Sequence, residues 1–283
     1  PLFALALAKA GDGAATGAAL PDGFFNFFTT PQDIISGLGW GLGYFGMPHI
    51  IIRFMSLKSE KELRKSSVIG ISWTTIILIM SALTAIAGRL YLGEIEDSST
   101  VFITMVRRIF PALVSGLLLS AILSAAMSTA DSQLLAASSA FASDVYKPVI
   151  RKKASDSEML WAGRIVVIVI AVVALMIASD PNSGSIMGLV ENAWGVFGAA
   201  FGPVILLSLF WKRLTFGGTV AGIAAGAAVD ILWLVFLSST DIYEIVPGFA
   251  AGLLAAVIAS KCSSAESRET AAALFDQCIA YKD

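Results

Sequence analysis

The chain has 283 residues, 57% of them hydrophobic and 14% charged, with a net charge of −2 and a mean hydropathy of +0.80. A soluble domain carries about 25% charged residues, so most of this chain's surface is expected to face lipid, and nothing in its charge favours nucleic acid. Two cysteines, Cys262 and Cys278, support neither a disulfide framework nor a metal site, and the single histidine, His49, rules out a His-rich metal cluster.

The first residues, 1–8, are apolar and read as the tail end of a helix; they lack the basic region and cleavage site of a signal peptide. The sequence is therefore expected to be a fragment whose N-terminal part is missing. A Gly/Ala/Pro-rich loop follows at about 10–33. Apolar segments at about 34–52, 68–92, 112–137, 161–179, 185–210, 217–237 and 243–260 are long enough to cross a bilayer as helices. The third is expected to start after Pro111, to continue as an amphipathic extension to about Tyr146, and to end at Pro148. Residues 261–283 form a polar tail.

Loop charges set an orientation. Arg53, Lys58, Lys61, Arg64 and Lys65 follow the first segment. Lys147, Arg151, Lys152, Lys153 and Arg164 follow the third, and Lys212 and Arg213 the fifth. The intervening loops carry Glu94, Glu96, Asp97, Asp180, Asp241 and Glu244, with Arg107 and Arg108 as the exception. Basic loops mark the cytoplasmic side, so the C-terminal tail is expected there. The segments are too long, and lack the period of two, for a barrel. An all-α helical bundle is the expected architecture.

The first segment holds Gly37, Gly39, Gly41, Gly43, Gly46 and Pro48. Interior glycine costs a helix about 1 kcal/mol and proline about 3 kcal/mol. Discontinuous transporter helices accept that cost because unwound backbone offers carbonyls and amides to ligands. Trp40, Tyr44 and Pro48, at i, i+4 and i+8, share one face if helix persists, and suit a small organic solute. Close packing through small residues explains the same pattern equally well.

The third segment contains Ala125, Ser128, Thr129 and Ser132 at i, i+3, i+4 and i+7, one stripe of a helix. Two hydroxyls and the Ala125 carbonyl offer neutral oxygens at one level, which suits a weakly held Na⁺. Hydroxyls bonding back to the preceding turn are the commoner alternative. Asp131 lies off that stripe on its cytoplasmic side, where it suits an ion exit path, a structural ion pair or a wet vestibule. Gln133 suits a polar solute or a neighbouring helix. Glu191 and Asp230 have no assignable role. The runs around Gly195, Gly198, Gly202 and Pro203, and Gly217, Gly218, Gly222 and Gly226, read as packing faces.

Trp40–Ile50 followed by Arg53-Phe-Met, Ala125–Thr129 with Ser132-Gln-Leu-Leu, Ser143–Lys147 and Gly198–Pro203 together resemble the sodium/solute symporter family, and within it the proline carriers. The resemblance covers most of 34–260 in order and spacing. It implies a leucine-transporter-type bundle of inverted repeats in the plasma membrane, and sodium-driven uptake of a small solute, proline first. No organic cofactor is implied. By position, Ala125, Ser128 and Thr129 would ligate Na⁺. Trp40, Tyr44 and Pro48 would line the solute pocket, with Ser132 and Gln133 beside it. The remaining ligands would come from early helices outside this chain. Met47 and Asp131 depart from the pattern of the proline carriers, which leaves pantothenate, a sugar or another organic acid as rival solutes. A transporter-like sensor module is the second reading and a membrane enzyme the third; no metal cluster or nucleophile–base motif supports an enzyme.

Overall fold

The computed structural model describes residues 26, 30–93, 95–180 and 183–280. The apolar stretch 1–8, most of the loop at 10–33, and Glu94 lie outside the described residues. There is no strand among the described residues. The helices are α1 (Pro31–Gly43), α2 (Pro48–Met55), α3 (Glu60–Leu92), α4 (Val101–Ile109), α5 (Ala112–Ala140), α6 (Asp156–Ser179), α7 (Ile186–Phe210), α8 (Phe216–Phe236), α9 (Ile245–Cys262) and α10 (Ala265–Ala280). Among the described residues, six stretches are long and apolar enough to cross a bilayer: Lys61–Leu92, Ala112–Ile150, Asp156–Ser179, Ile186–Phe210, Phe216–Phe236 and Ile245–Cys262. The chain is an all-α, multi-pass membrane protein.

The segment expected at 34–52 as one span is two helices. α1 ends at Gly43, the chain turns through Tyr44–Gly46, and α2 restarts behind Met47, whose backbone is extended. Each is shorter than the roughly 20 residues a bilayer core requires. Proline explains the position of the break: Pro48 has no N–H to give the Tyr44 carbonyl four residues earlier. At the other end α1 opens with a reciprocal cap. Thr30 Oγ1 accepts from the Asp33 amide at 3.2 Å, and Asp33 Oδ2 accepts from the Thr30 amide at 3.2 Å.

Pro111 caps α5 at its start. Pro148 does not stop the helical run. A π-helical turn, Phe141–Ile150, carries the chain past it, closed by Arg151 N–H donating to the Tyr146 carbonyl at 2.8 Å. The wider five-residue spacing moves the hydrogen-bonding pattern around the missing N–H. The tail expected after Lys261 contains α10.

Two compact units are present, one at 57–170 and one at 30–56 with 171–280. In the first, Ala87, Leu92 and Met105 form a buried cluster with Tyr91, Ile95, Val101 and Ile109. Ser115 Oγ fastens α5 to α4 by donating to the Val106 carbonyl at 3.0 Å. Glu158 on α6 accepts from Tyr146 Oη at 3.0 Å and pairs with Arg151 Nε at 2.9 Å. α3 leaves Ile71, Trp73, Leu78 and Met80 more than half exposed, an apolar surface that lipid or further protein covers.

In the second unit α7, α8 and α9 pack through glycine and alanine. Gly222 sits against Ala256 and Val204, Gly226 against the backbone of Ala199, and Gly248 against the Ala199 side chain. This is the close helix approach that small residues every four positions allow. At one end Thr215 caps α8: its Oγ1 accepts from the Gly218 amide at 3.2 Å, and its own amide donates to Ser260 Oγ at 3.2 Å.

Candidate functional site

The stripe on α5 has a definite geometry. Ser128 Oγ donates to the Ala125 carbonyl at 3.0 Å and Thr129 Oγ1 donates to the same oxygen at 3.1 Å. Ser132 Oγ continues the pattern, donating to the Ser128 carbonyl at 2.9 Å. This is the back-bonded arrangement common to Ser and Thr in apolar helices. It also gathers three oxygens at one point of the helix surface. A hydroxyl oxygen keeps two lone pairs while it donates, and a carbonyl oxygen has two. Ala125, Ser128, Thr129, Asp131, Ser132 and Gln133 are all exposed in this unit.

The aromatic residues of α1 form a second cluster. Trp40 stacks on Trp194 at 5.7 Å between centroids and 16° between planes, and on Tyr243 at 5.8 Å and 26°. Tyr44 meets Trp194 edge-on at 4.8 Å. Trp194 Nε1 donates to the Trp40 carbonyl at 2.9 Å. Tyr243 is pinned as well: its hydroxyl donates to the Glu191 carbonyl at 2.8 Å and its amide to Ser36 Oγ at 3.0 Å. The stack thus brings Trp40 and Tyr44 together, while Pro48 stands exposed at the start of α2.

The glycines of α1 and of the turn after it divide by what surrounds them. A methyl group on Gly39 would meet Val246 and Ile245, on Gly43 the Trp194 indole, and on Gly46 the Phe197 carbonyl. Gly37 and Gly41 have nothing within 4 Å. Packing therefore accounts for the buried set and leaves the other face open.

Sequence reasoning did not single out Trp194 or Tyr243. Trp194 precedes the small-residue run at Gly195, and Tyr243 opens the last apolar segment, but neither position names its partner in the sequence. Asp230 and Glu244 gain a setting too. Asp230 is wholly buried and Glu244 is 8% exposed. Among the described residues neither oxygen of Asp230 has a hydrogen-bond partner, nor does Glu244 Oε1.

Comparison with known proteins bears on this arrangement directly. The model of the sodium:solute symporter family matches residues 8–226. The chain is 43% identical over 280 residues to the high-affinity proline transporter PutP of Bacillus subtilis (strain 168), covering 97% of this chain and 58% of that protein. It is 46% identical over 233 residues to the osmoregulated proline transporter OpuE of the same organism, 80% of this chain and 47% of OpuE. Sodium/proline symporter 2 of Staphylococcus saprophyticus is 44% identical over 247 residues, 82% of this chain and 48% of that protein. The chain spans about half the length of these curated relatives. A family match over so much of the sequence, with relatives of this identity, leaves one conclusion: the chain belongs to the sodium:solute symporter family.

Proposed function

We propose that the complete protein carrying this chain is a sodium-coupled secondary transporter that takes up a small organic solute, proline first. The relatives named for proline transport support this solute, as does the aromatic stack at Trp40 and Tyr44. The observation that carries the coupling is the convergence of the Ser128 and Thr129 hydroxyls on the Ala125 carbonyl. Na⁺, as the co-transported ion, would take these three oxygens together with ligands from early helices of the same protein. Each hydroxyl has to turn its proton away from Ala125 when the ion arrives, so both lone-pair sets face the cation. Neutral oxygens hold the ion weakly enough to release it.

Trp40, Tyr44 and Pro48 would line the solute pocket, Ser132 and Gln133 would border it, and Asp131 would draw the ion toward its cytoplasmic exit. The reading places the chain as one transporter domain of the leucine-transporter type with inverted repeats, in the plasma membrane, the tail 261–283 in the cytoplasm. Coupling requires that Na⁺ bind the outward-open state more tightly than the inward-open one. Moving one charge inward releases about 2.3 kcal/mol per 100 mV, which the solute gradient opposes. No chemical alteration of the solute is part of this cycle.

The test is uptake of radiolabelled proline by the complete protein, with and without Na⁺, against a panel of amino acids and sugars. Replacing Ser128 and Thr129 together with alanine abolishes Na⁺ stimulation while leaving the protein in the membrane. Unchanged Na⁺ dependence refutes the ion assignment; Na⁺-stimulated uptake of another solute alone refutes proline.

A further inference from the structure

Asp230 and Glu244 come from different helices and meet at a third. Asp230 lies in the second half of α8, and Glu244 immediately precedes α9. A methyl group on Gly195 of α7 would stand 3.2 Å from Asp230 Oδ1 and 3.3 Å from Glu244 Oε1. Both carboxylates therefore bear on one spot of α7, where a side chain would be tight against them. Gly248 closes the floor: a methyl group there would lie 2.9 Å from Asp230 Cβ.

Glu191 on α7 and Tyr243 lie close enough to Glu244 to act on it electrostatically, and Trp233 Nε1 on α8 is a further buried polar atom with no hydrogen-bond partner among the described residues. Among the described residues no Lys, Arg or His forms an ion pair with either carboxylate. Asp230 has two unpartnered oxygens and no exposure at all; Glu244 contributes a third such oxygen at 8% exposure. Buried carboxylates are paired or coordinate a cation, because an isolated one costs several kcal/mol to remove from water. Two acids that face each other cannot supply that cation themselves.

We propose that Asp230 and Glu244 form a binding site for one small monovalent cation, a proton or a sodium ion, at the junction of α7, α8 and α9. The cation lies between Asp230 Oδ1 and Glu244 Oε1. It reaches the site past Glu244, the less enclosed of the two acids. The site uses none of the residues of the Ala125 stripe. It stands one residue from Tyr243, which stacks on Trp40.

Infrared spectroscopy of the complete protein in a lipid bilayer tests this. Spectra are taken at neutral pH in a sodium-free choline medium and again after Na⁺ replaces choline. A proton at the site gives a carbonyl stretch of a protonated carboxylic acid in both media. Sodium at the site gives carboxylate bands that shift when Na⁺ is added. Either signal supports the proposal if Asp230→Asn removes it and the Ser128→Ala, Thr129→Ala double variant retains it. If Asp230→Asn does not fold, Glu244→Gln serves the same purpose, since it too keeps the shape and removes the charge. Wild-type spectra that show only ionised carboxylates, insensitive to Na⁺, overturn the proposal. So does a signal that survives both variants.

Discussion

Gly43→Ala is the sharpest perturbation of the broken helix. The added methyl group falls inside the Trp194 indole, so the ring has to leave its place between Trp40 and Tyr44. Overpacking of this kind costs about 1–3 kcal/mol. The displaced ring also surrenders the Nε1 bond to the Trp40 carbonyl, about 0.5–1.5 kcal/mol, and the stacking, about 0.5–1.5 kcal/mol. Against these stands a helix-propensity gain of about 0.5–1 kcal/mol. The net loss expected is about 3 kcal/mol. Gly37→Ala on the same helix isolates the propensity effect, because nothing lies within 4 Å of that position. Thermal unfolding of the complete protein in detergent, followed by tryptophan fluorescence, reads both variants. Gly43→Ala melts well below wild type and Gly37→Ala at or slightly above it. Equal melting temperatures for the two would refute the packing of α1 on α7.

Trp194→Phe keeps an aromatic ring in the stack but removes the donor to the Trp40 carbonyl; it lowers stability by about 1 kcal/mol, less than Gly43→Ala, in the same melting assay. Thr215→Ala strips the cap of α8, a side chain that is 2% exposed, and costs about 1–2 kcal/mol, read from the same melts. Asp97, in the loop before α4, accepts from the Ser99 hydroxyl at 2.7 Å and amide at 2.9 Å, and these bonds hold its carboxyl below the usual aspartate range. A depressed carboxyl stabilises the folded loop at neutral pH and loses that contribution as pH falls through its folded-state value. The protection factor of the Ser99 amide, its exchange rate corrected for the intrinsic pH dependence, therefore falls on acidification, and Asp97→Asn removes that fall.

Much of the architecture was legible because bilayer-length apolar runs leave few choices. Glycine and proline density left the first segment open between a broken helix and a closely packed one, and the structure shows the break: Pro48 cannot satisfy Tyr44, and helix stops at Gly43. Proline misled at the other end of α5, where a π-helical turn absorbs Pro148, since spacing to the acceptor is a property of the whole turn and not of one residue. The Ser128–Thr129 stripe followed from periodicity alone. The aromatic cluster did not: Trp40 and Trp194 are 154 positions apart, and only the packing of α1 on α7 brings them into contact. Asp230 was visible as an acid within a span. Its companion was not, because Glu244 belongs to the next helix and meets it only across Gly195.

The division of α1 into two faces connects packing to transport. Gly39, Gly43 and Gly46 bring the helix against α7 and α9, and Trp194 and Tyr243 then hold it by stacking and by hydrogen bonds to its backbone and to Ser36. One side of a helix weakened by glycine is thereby fixed, which a freely unwinding segment would not be. The other side holds Gly37 and Gly41 beside the exposed Ile34 and Leu38. A helix made only to pack would not need glycine on the open face, where each costs about 1 kcal/mol against alanine. A helix made only to bind would not need Gly39 and Gly43 at positions where a methyl group would meet Val246 and the Trp194 indole. The sequence does both at once, and the two sets of glycines answer to different substitutions. Alanine at Gly43 acts through stability, whereas a bulkier residue at Gly41, such as Gly41→Val, acts on solute uptake with stability nearly unchanged. Uptake that survives Gly41→Val at the wild-type rate would show that the open face does not meet the solute.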